Sequence, residues 1–131
     1  MFDEDSRVYK LYISHINQDD KEYRFFLSKL NASYDFQWVD AAVQGKILPE
    51  EITNQMEDVD LVIILSGLCS KNKKLVTLQL NIALKLGKPI VVIRPYGMEN
   101  IPYQLEEIAD EVVGWNTPCI VDAIKDALGD S

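Results

Sequence analysis

The sequence predicts an α/β domain: a doubly wound, five-stranded parallel sheet of order 2-1-3-4-5 with helices on both faces. Two observations carry that expectation. A strand-then-helix rhythm repeats five times along the 131 residues, and alternating units of this kind build a parallel sheet joined by crossover helices. Two of the strands, Leu61-Val62-Ile63-Ile64-Leu65 and Ile90-Val91-Val92-Ile93, are unbroken apolar runs. Burial on both faces demands such runs, so these two strands belong at the centre. The amphipathic second strand and the short fifth belong at the edges, which gives the order above.

Each element has its own local signal. Val8 to Ser14 reads as the first strand. Asn17 is the expected cap of the first helix, with Asp19, Asp20 and Glu22 in its opening turns, where carboxylates favour the positive helix end. Its apolar stripe is Tyr23, Phe26, Leu27 and Leu30, at the i, i+3, i+4, i+7 spacing of one helical face. Phe36 to Asp40 reads as the second strand. Pro49 opens a second helix with an inward stripe at Ile52, Met56 and Val59. A third helix is expected from about Asn72 to Leu86, stopped by Gly87 and Pro89. A short fourth helix follows around Tyr103 to Ala109, then a fifth strand from Glu111 to Trp115. Thr117 as cap and Pro118 in the first turn open the last helix, with Ile120, Val121, Ile124 and Leu128 inward and Gly129 closing it. Residues 1–6 read as an acidic extension and 7–131 as one domain.

Composition narrows the function classes. With 47% hydrophobic residues, 6 Gly and 5 Pro, the chain has the make-up of a folded domain. Thirteen Lys+Arg against twenty-one Asp+Glu give a formal charge of −8, which repels phosphate backbones and anionic lipid and disfavours nucleic acid and membrane as partners. No apolar run reaches the ~20 residues of a membrane span, and the first seven residues carry no apolar core of a secretion signal. Cys69 and Cys119 stand apart without a ligand cluster. They read as two reduced thiols of a cytoplasmic protein.

In open sheets of this topology, ligands bind beyond the carboxyl ends of the strands where strand order reverses, here between strands one and three. That point gathers Ser14 and His15 with Ser66 and Gly67. The loops from Asp40 to Leu48 and from Arg94 to Gly97 stand as its walls. His15, the single histidine, is either a structural hydrogen-bonder or a ligand contact. Arg94 is either an ion-pair partner or an anion contact. Trp38 and Trp115 read as packing residues. On the third helix, Lys74, Thr77, Asn81 and Lys85 form an outer stripe. Gln79, about 200° from Thr77 and Asn81, falls on the inward face with Leu75, Ile82, Ala83 and Leu86. There its amide either bonds a nearby backbone group or reaches the crevice.

Several catalytic patterns are missing from the sequence. Ser14-His15-Ile16-Asn17-Gln18 has no glycines for a phosphate loop, no Cys or His cluster has metal-ligand spacing, and no Gly-x-Ser-x-Gly elbow occurs. Receiver domains place a phosphorylated aspartate at the end of strand three, where this chain has Ser66-Gly67.

Leu11-Tyr12-Ile13-Ser14-His15 resembles the first-strand signature of TIR-like domains. Asp60-Leu61-Val62-Ile63-Ile64-Leu65-Ser66-Gly67 and Leu86-Gly87-Lys88-Pro89-Ile90-Val91 are similar to the centre of the same family. Val113-Gly114-Trp115-Asn116-Thr117, followed by Ile120-Val121-Asp122-Ala123-Ile124, resembles the ending of the bacterial and archaeal group that includes the ThsB component of Thoeris anti-phage defence. The resemblance spans about residues 7 to 129 and implies a flavodoxin-like TIR-like fold. Many domains of this kind hydrolyse or cyclise NAD with a glutamate on the third helix, and that position matches Gln79 here. The resemblance therefore implies a defence-related signalling domain that binds a nucleotide, an NAD-like molecule or a protein partner, or assembles with itself, with weak or no NAD hydrolysis. No resident cofactor or metal is expected; NAD enters as a possible substrate or ligand. Two alternatives stand beside this: an NAD-cleaving or cyclising enzyme in which another carboxylate serves, and a phosphorylation-independent receiver-like switch. The expected ligand contacts are Ser14, His15, Asp40, Ser66, Gly67 and Arg94, with Gln79 at the catalytic position.

Overall fold

The structure is a computed structural model and describes residues 7–16, 20–43, 45–95, 101 and 103–130. Residues 1–6, the expected cap Asn17 and the loop from Tyr96 to Asn100 lie outside them. Five strands, β1 (Val8–Ile13), β2 (Gln37–Asp40), β3 (Leu61–Leu65), β4 (Ile90–Ile93) and β5 (Glu111–Val113), form one sheet of order β2-β1-β3-β4-β5. All four neighbouring pairs are parallel, with Tyr12 opposite Val62, Ile63 opposite Val91 and Val92 opposite Val112. Every residue of β3 and β4 is buried, so the continuous apolar runs do occupy the middle of the sheet.

The helices are α1 (Lys21–Asn31), α2 (Pro49–Glu57), α3 (Lys73–Lys85), α4 (Tyr103–Ile108) and α5 (Thr117–Leu128), with a 3-10 turn from Ser66 to Ser70 after β3. Right-handed crossovers dictate their distribution. The chain steps from β1 outward to β2 and then back across to β3, so α1 and α2 fall on opposite faces. Accordingly α1 packs with α5, and α2 packs with α3.

Helix ends follow the local chemistry, with two corrections to the sequence reading. The cap of α1 is Asp20, whose Oδ1 accepts from the N–H groups of Glu22 (2.9 Å) and Tyr23 (3.2 Å). The cap of α5 is Asn116, whose Oδ1 accepts from Cys119 N–H (3.1 Å). Thr117 is the first helical residue, and its hydroxyl donates to Lys29 O (2.9 Å), tying α5 to α1. Gly87 and Gly129, at φ 70° and 75°, end α3 and α5 in the left-handed region that glycine enters without a Cβ penalty. β1 stops one residue short of Ser14, and β5 stops at Val113, two short of Trp115. Far from the strand carboxyl ends, Arg7 bridges Asp130 and Asp60 and lies over the Tyr9 ring, joining the two chain ends.

Candidate functional site

Beyond the last residue of each inner strand, side chains take over the lacing of the sheet. Ser14 N–H donates to Ile63 O (2.9 Å), and the Ser14 hydroxyl accepts from Leu65 N–H (2.8 Å). Ser66 donates its hydroxyl to Ile93 O (2.7 Å). Arg94 N–H continues the row to Val113 O (2.9 Å), and Trp115 Nε1 donates back to Arg94 O (2.7 Å). Both serines are buried, so these hydroxyls serve the sheet's own backbone at the floor of the switch point.

His15 and Asp40 meet at the β1–β2 end, while Ser14 bonds toward β3. Asp40 Oδ1 accepts from Ile13 N–H (3.1 Å) and Ala42 N–H (3.0 Å), and its Oδ2 accepts from the Tyr23 hydroxyl (2.9 Å). Burial raises the Asp40 pKa above the ordinary carboxylate range, and these donors oppose the rise without cancelling it. Burial, with Asp40 alongside, also raises the Tyr23 phenol. His15 is buried, its ring 4.8 Å from that of Tyr23. Its Nδ1 lies 3.0 Å from Ile13 O, a contact that requires the hydrogen on Nδ1 because a carbonyl only accepts.

Gln79 lies elsewhere. It is 1% exposed on the inward face of α3, and its Nε2 donates to the Tyr12 hydroxyl at 3.3 Å. Its Oε1 is buried without a partner among the described residues. Burial raises the Tyr12 phenol, with the Gln79 contact opposing.

A second cluster stands where α1 meets the turn after β3. Asp20 Oδ2 accepts from Lys71 Nζ at 3.0 Å. Burial pushes the Asp20 pKa up, but Lys71 and the two capping N–H groups pull harder, and the net shift is downward. Glu22 shifts the other way: burial raises it against the opposing Lys71 charge and the Gly67 N–H that it accepts. A Cβ on Gly67 would overlap the Glu22 carboxylate. The Oε2 of Glu22 is buried without a partner among the described residues. Lys21, Glu22, Phe25 and Lys71 line an open cavity of about 450 Å³ at this place.

None of the seven residues singled out from the sequence lines that cavity; Gly67 comes nearest, as the seat of Glu22. In the sequence, Glu22 had only the signal of a carboxylate in the first turn of a helix, and Lys71 had none. Among the described residues, no group of three His, Cys, Asp or Glu is placed to hold a metal ion. No described helix is long and apolar enough to cross a membrane.

The parallel order 2-1-3-4-5, with helices on both faces, defines a flavodoxin-like domain. The family model described as "Thoeris protein ThsB, TIR-like domain" matches residues 12–100, and the chain belongs to that family. It is thus a TIR-like domain of the defence-related signalling class. Comparison with curated proteins returns no match.

Proposed function

We propose that this domain works in defence signalling by binding, with weak or no NAD hydrolysis, and that its partner is a nucleotide or NAD-like molecule or another protein chain. The observation that carries the reading is Gln79. It occupies the position that matches the third-helix glutamate of hydrolytic TIR domains, and its amide is buried against the Tyr12 hydroxyl. Cleaving a glycosidic carbon–nitrogen bond builds oxocarbenium-like charge on the ribose, which an aligned carboxylate stabilises. A neutral amide supplies neither that charge nor a base. Removing one preorganised electrostatic contact costs on the order of a hundredfold to a thousandfold in rate. The protein-binding arm draws on Val39 at the sheet edge and on Val43, Ile47 and Leu48 in the loop after β2, all exposed apolar side chains.

Incubation of the protein with NAD, followed by quantification of nicotinamide, tests the reading. Release at background level is expected, and brisk release overturns it. A second reading, an enzyme in which another carboxylate serves, is favoured by Glu22. That side chain has one unpartnered oxygen and lines the cavity. Loss of nicotinamide release in Glu22→Gln, where the natural protein releases it, is the outcome that reading requires.

A further inference from the structure

We infer that a second copy of this chain docks on the face formed by α2 and α3, in a two-fold dimer that sets each α3 on its partner's α2. The inference rests on the reading of the domain as a binder of another protein chain, and it names that chain and the surface. In the outer stripe of α3, Lys74, Asn81 and Lys85 are exposed and fall within about 40° of one another around the helix. In α2, Glu50, Asn54 and Glu57 are exposed and fall within about 60°. Each stripe lies opposite its helix's buried side, Val76 and Ala83 in α3 and Ile52 and Met56 in α2. The two stripes share one order, charge then amide then charge, with the sign reversed.

These side chains are unmet within the molecule. None of the six has a hydrogen bond or ion pair among the described residues. Nearby charges are engaged elsewhere. Glu51 accepts from Leu48 N–H (3.2 Å) and pairs with Lys46. Lys88 donates to Glu57 O (2.9 Å) and Val59 O (3.0 Å), which fastens the end of α2 to the segment after α3. Because α2 and α3 also pack on each other, the fold fixes the spacing of the two stripes.

A partner for this face needs an acidic and a basic stripe side by side at the same spacing, and this chain carries that pair. A two-fold axis running between α2 and α3 lays Lys74 and Lys85 of each copy along Glu50 and Glu57 of the other, and every contact occurs twice. Both helices follow strands of a parallel sheet, so they run in one direction. Under this axis the charged first turns meet, and so do the charged last turns. The two stripes together are neutral in a chain of net charge −8, so they add nothing to the repulsion between acidic copies. Leu48, the cap of α2, and Leu84, beside Lys85, are exposed and add apolar contact. Exposed ion pairs are individually weak and screened by salt, which makes the dimer transient and salt-sensitive.

Sedimentation at low ionic strength, at concentrations up to about 1 mM, tests the inference on the natural protein, Lys74→Glu/Lys85→Glu and Glu50→Lys/Glu57→Lys. The natural protein should self-associate, and salt should weaken it as the screening length falls to about 8 Å at physiological ionic strength. Each double variant gives both stripes one sign and should weaken self-association at least about tenfold. Mixed in equal amounts, the two variants present an all-acidic and an all-basic face and should pair with each other. Both sets of replacements in one chain exchange the stripes and should restore self-association. Circular dichroism checks that each variant is folded; where a double variant is not, Glu57→Lys and Lys85→Glu take its place with the same expected pattern. A natural protein that stays monomeric overturns the inference. So does self-association indifferent to the variants, or folded variants that do not pair when mixed. Nicotinamide release from NAD would overturn the binder reading separately. A monomer that releases none keeps that reading and sinks this interface.

Discussion

Gln79 and Tyr12, 67 residues apart in sequence, share one buried hydrogen bond, from Gln79 Nε2 to the Tyr12 hydroxyl at 3.3 Å. The other amide atom, Oε1, has no partner among the described residues. The pair fastens α3 to β1 at the strand residue just before Ile13, whose N–H holds Asp40. One half-satisfied contact therefore links α3 to the β1–β2 strand end.

Its energetics are testable as a cycle. Tyr12→Phe leaves both amide atoms of Gln79 without partners and should cost about 1–3 kcal/mol. Gln79→Met removes the orphaned oxygen along with the donor and should cost less. The double variant should be more stable than the sum of the single losses predicts, because no polar atom of the pair remains to be satisfied. Urea denaturation measures all four corners. Strict additivity would show that the two side chains do not interact.

Gln79→Glu places an acid where the native side chain is 1% exposed. Burial favours the neutral acid, so its folded pKa lies above its unfolded one. The variant should be close to the natural protein in stability at acid pH and lose stability as pH rises through that raised value. Nicotinamide release from NAD should rise only in the fraction that is ionised, so any gain should grow with pH. A gain in activity that falls with rising pH would contradict this account.

The fold was legible because its signals are local or periodic. The unbroken runs of β3 and β4 announce burial on both faces, and the wheel angle of Gln79 placed it inward without reference to any partner. The cavity left no such trace. Glu22 is built into it by Gly67 and Lys71, and the Asp20–Lys71 contact spans 51 residues; no spacing rule reaches that far. The switch-point rule marks a pair of strand ends, but it cannot say which atoms there are already spent. Ser14 and Ser66 donate to or accept from the sheet backbone instead. Asn17, Asp19 and Asp20 all suit a helix cap by residue type, and only the path of the chain makes Asp20 the cap of α1.

Asp20 has two duties that substitution can separate. Asp20→Ala loses the cap and the Lys71 contact and should cost about 1–2 kcal/mol. Asp20→Asn keeps an oxygen for the Glu22 and Tyr23 N–H groups and gives up only the ion pair. Lys71 is half-exposed, so that pair is worth about 1 kcal/mol or less. Denaturant midpoints should rank the natural protein first, Asn close behind and Ala last. Equal losses in Asn and Ala would assign the stabilisation to the ion pair.

The pH response of the domain sets two carboxylates against each other. Asp20 is held below its ordinary value of 3.8, so it contributes stability above that pH and loses it as pH falls through the lowered folded value. Asp40 is raised above 3.8: its contribution is complete below 3.8 and is lost as pH climbs through the raised folded value. Asp40→Asn removes that second titration. The introduced amide keeps an oxygen for Ile13 and Ala42 N–H, and its NH₂ can donate to the Tyr23 hydroxyl that formerly donated to Asp40. Relative to the natural protein, the variant should therefore gain stability as pH rises from about 4, and the difference should level off once Asp40 is ionised in the fold. Urea unfolding of both proteins at successive pH values gives the difference directly. Parallel stability curves across that window would show that Asp40 ionises in the folded domain as readily as in the unfolded chain. The burial of its carboxylate at the β1–β2 end would then carry no energetic consequence.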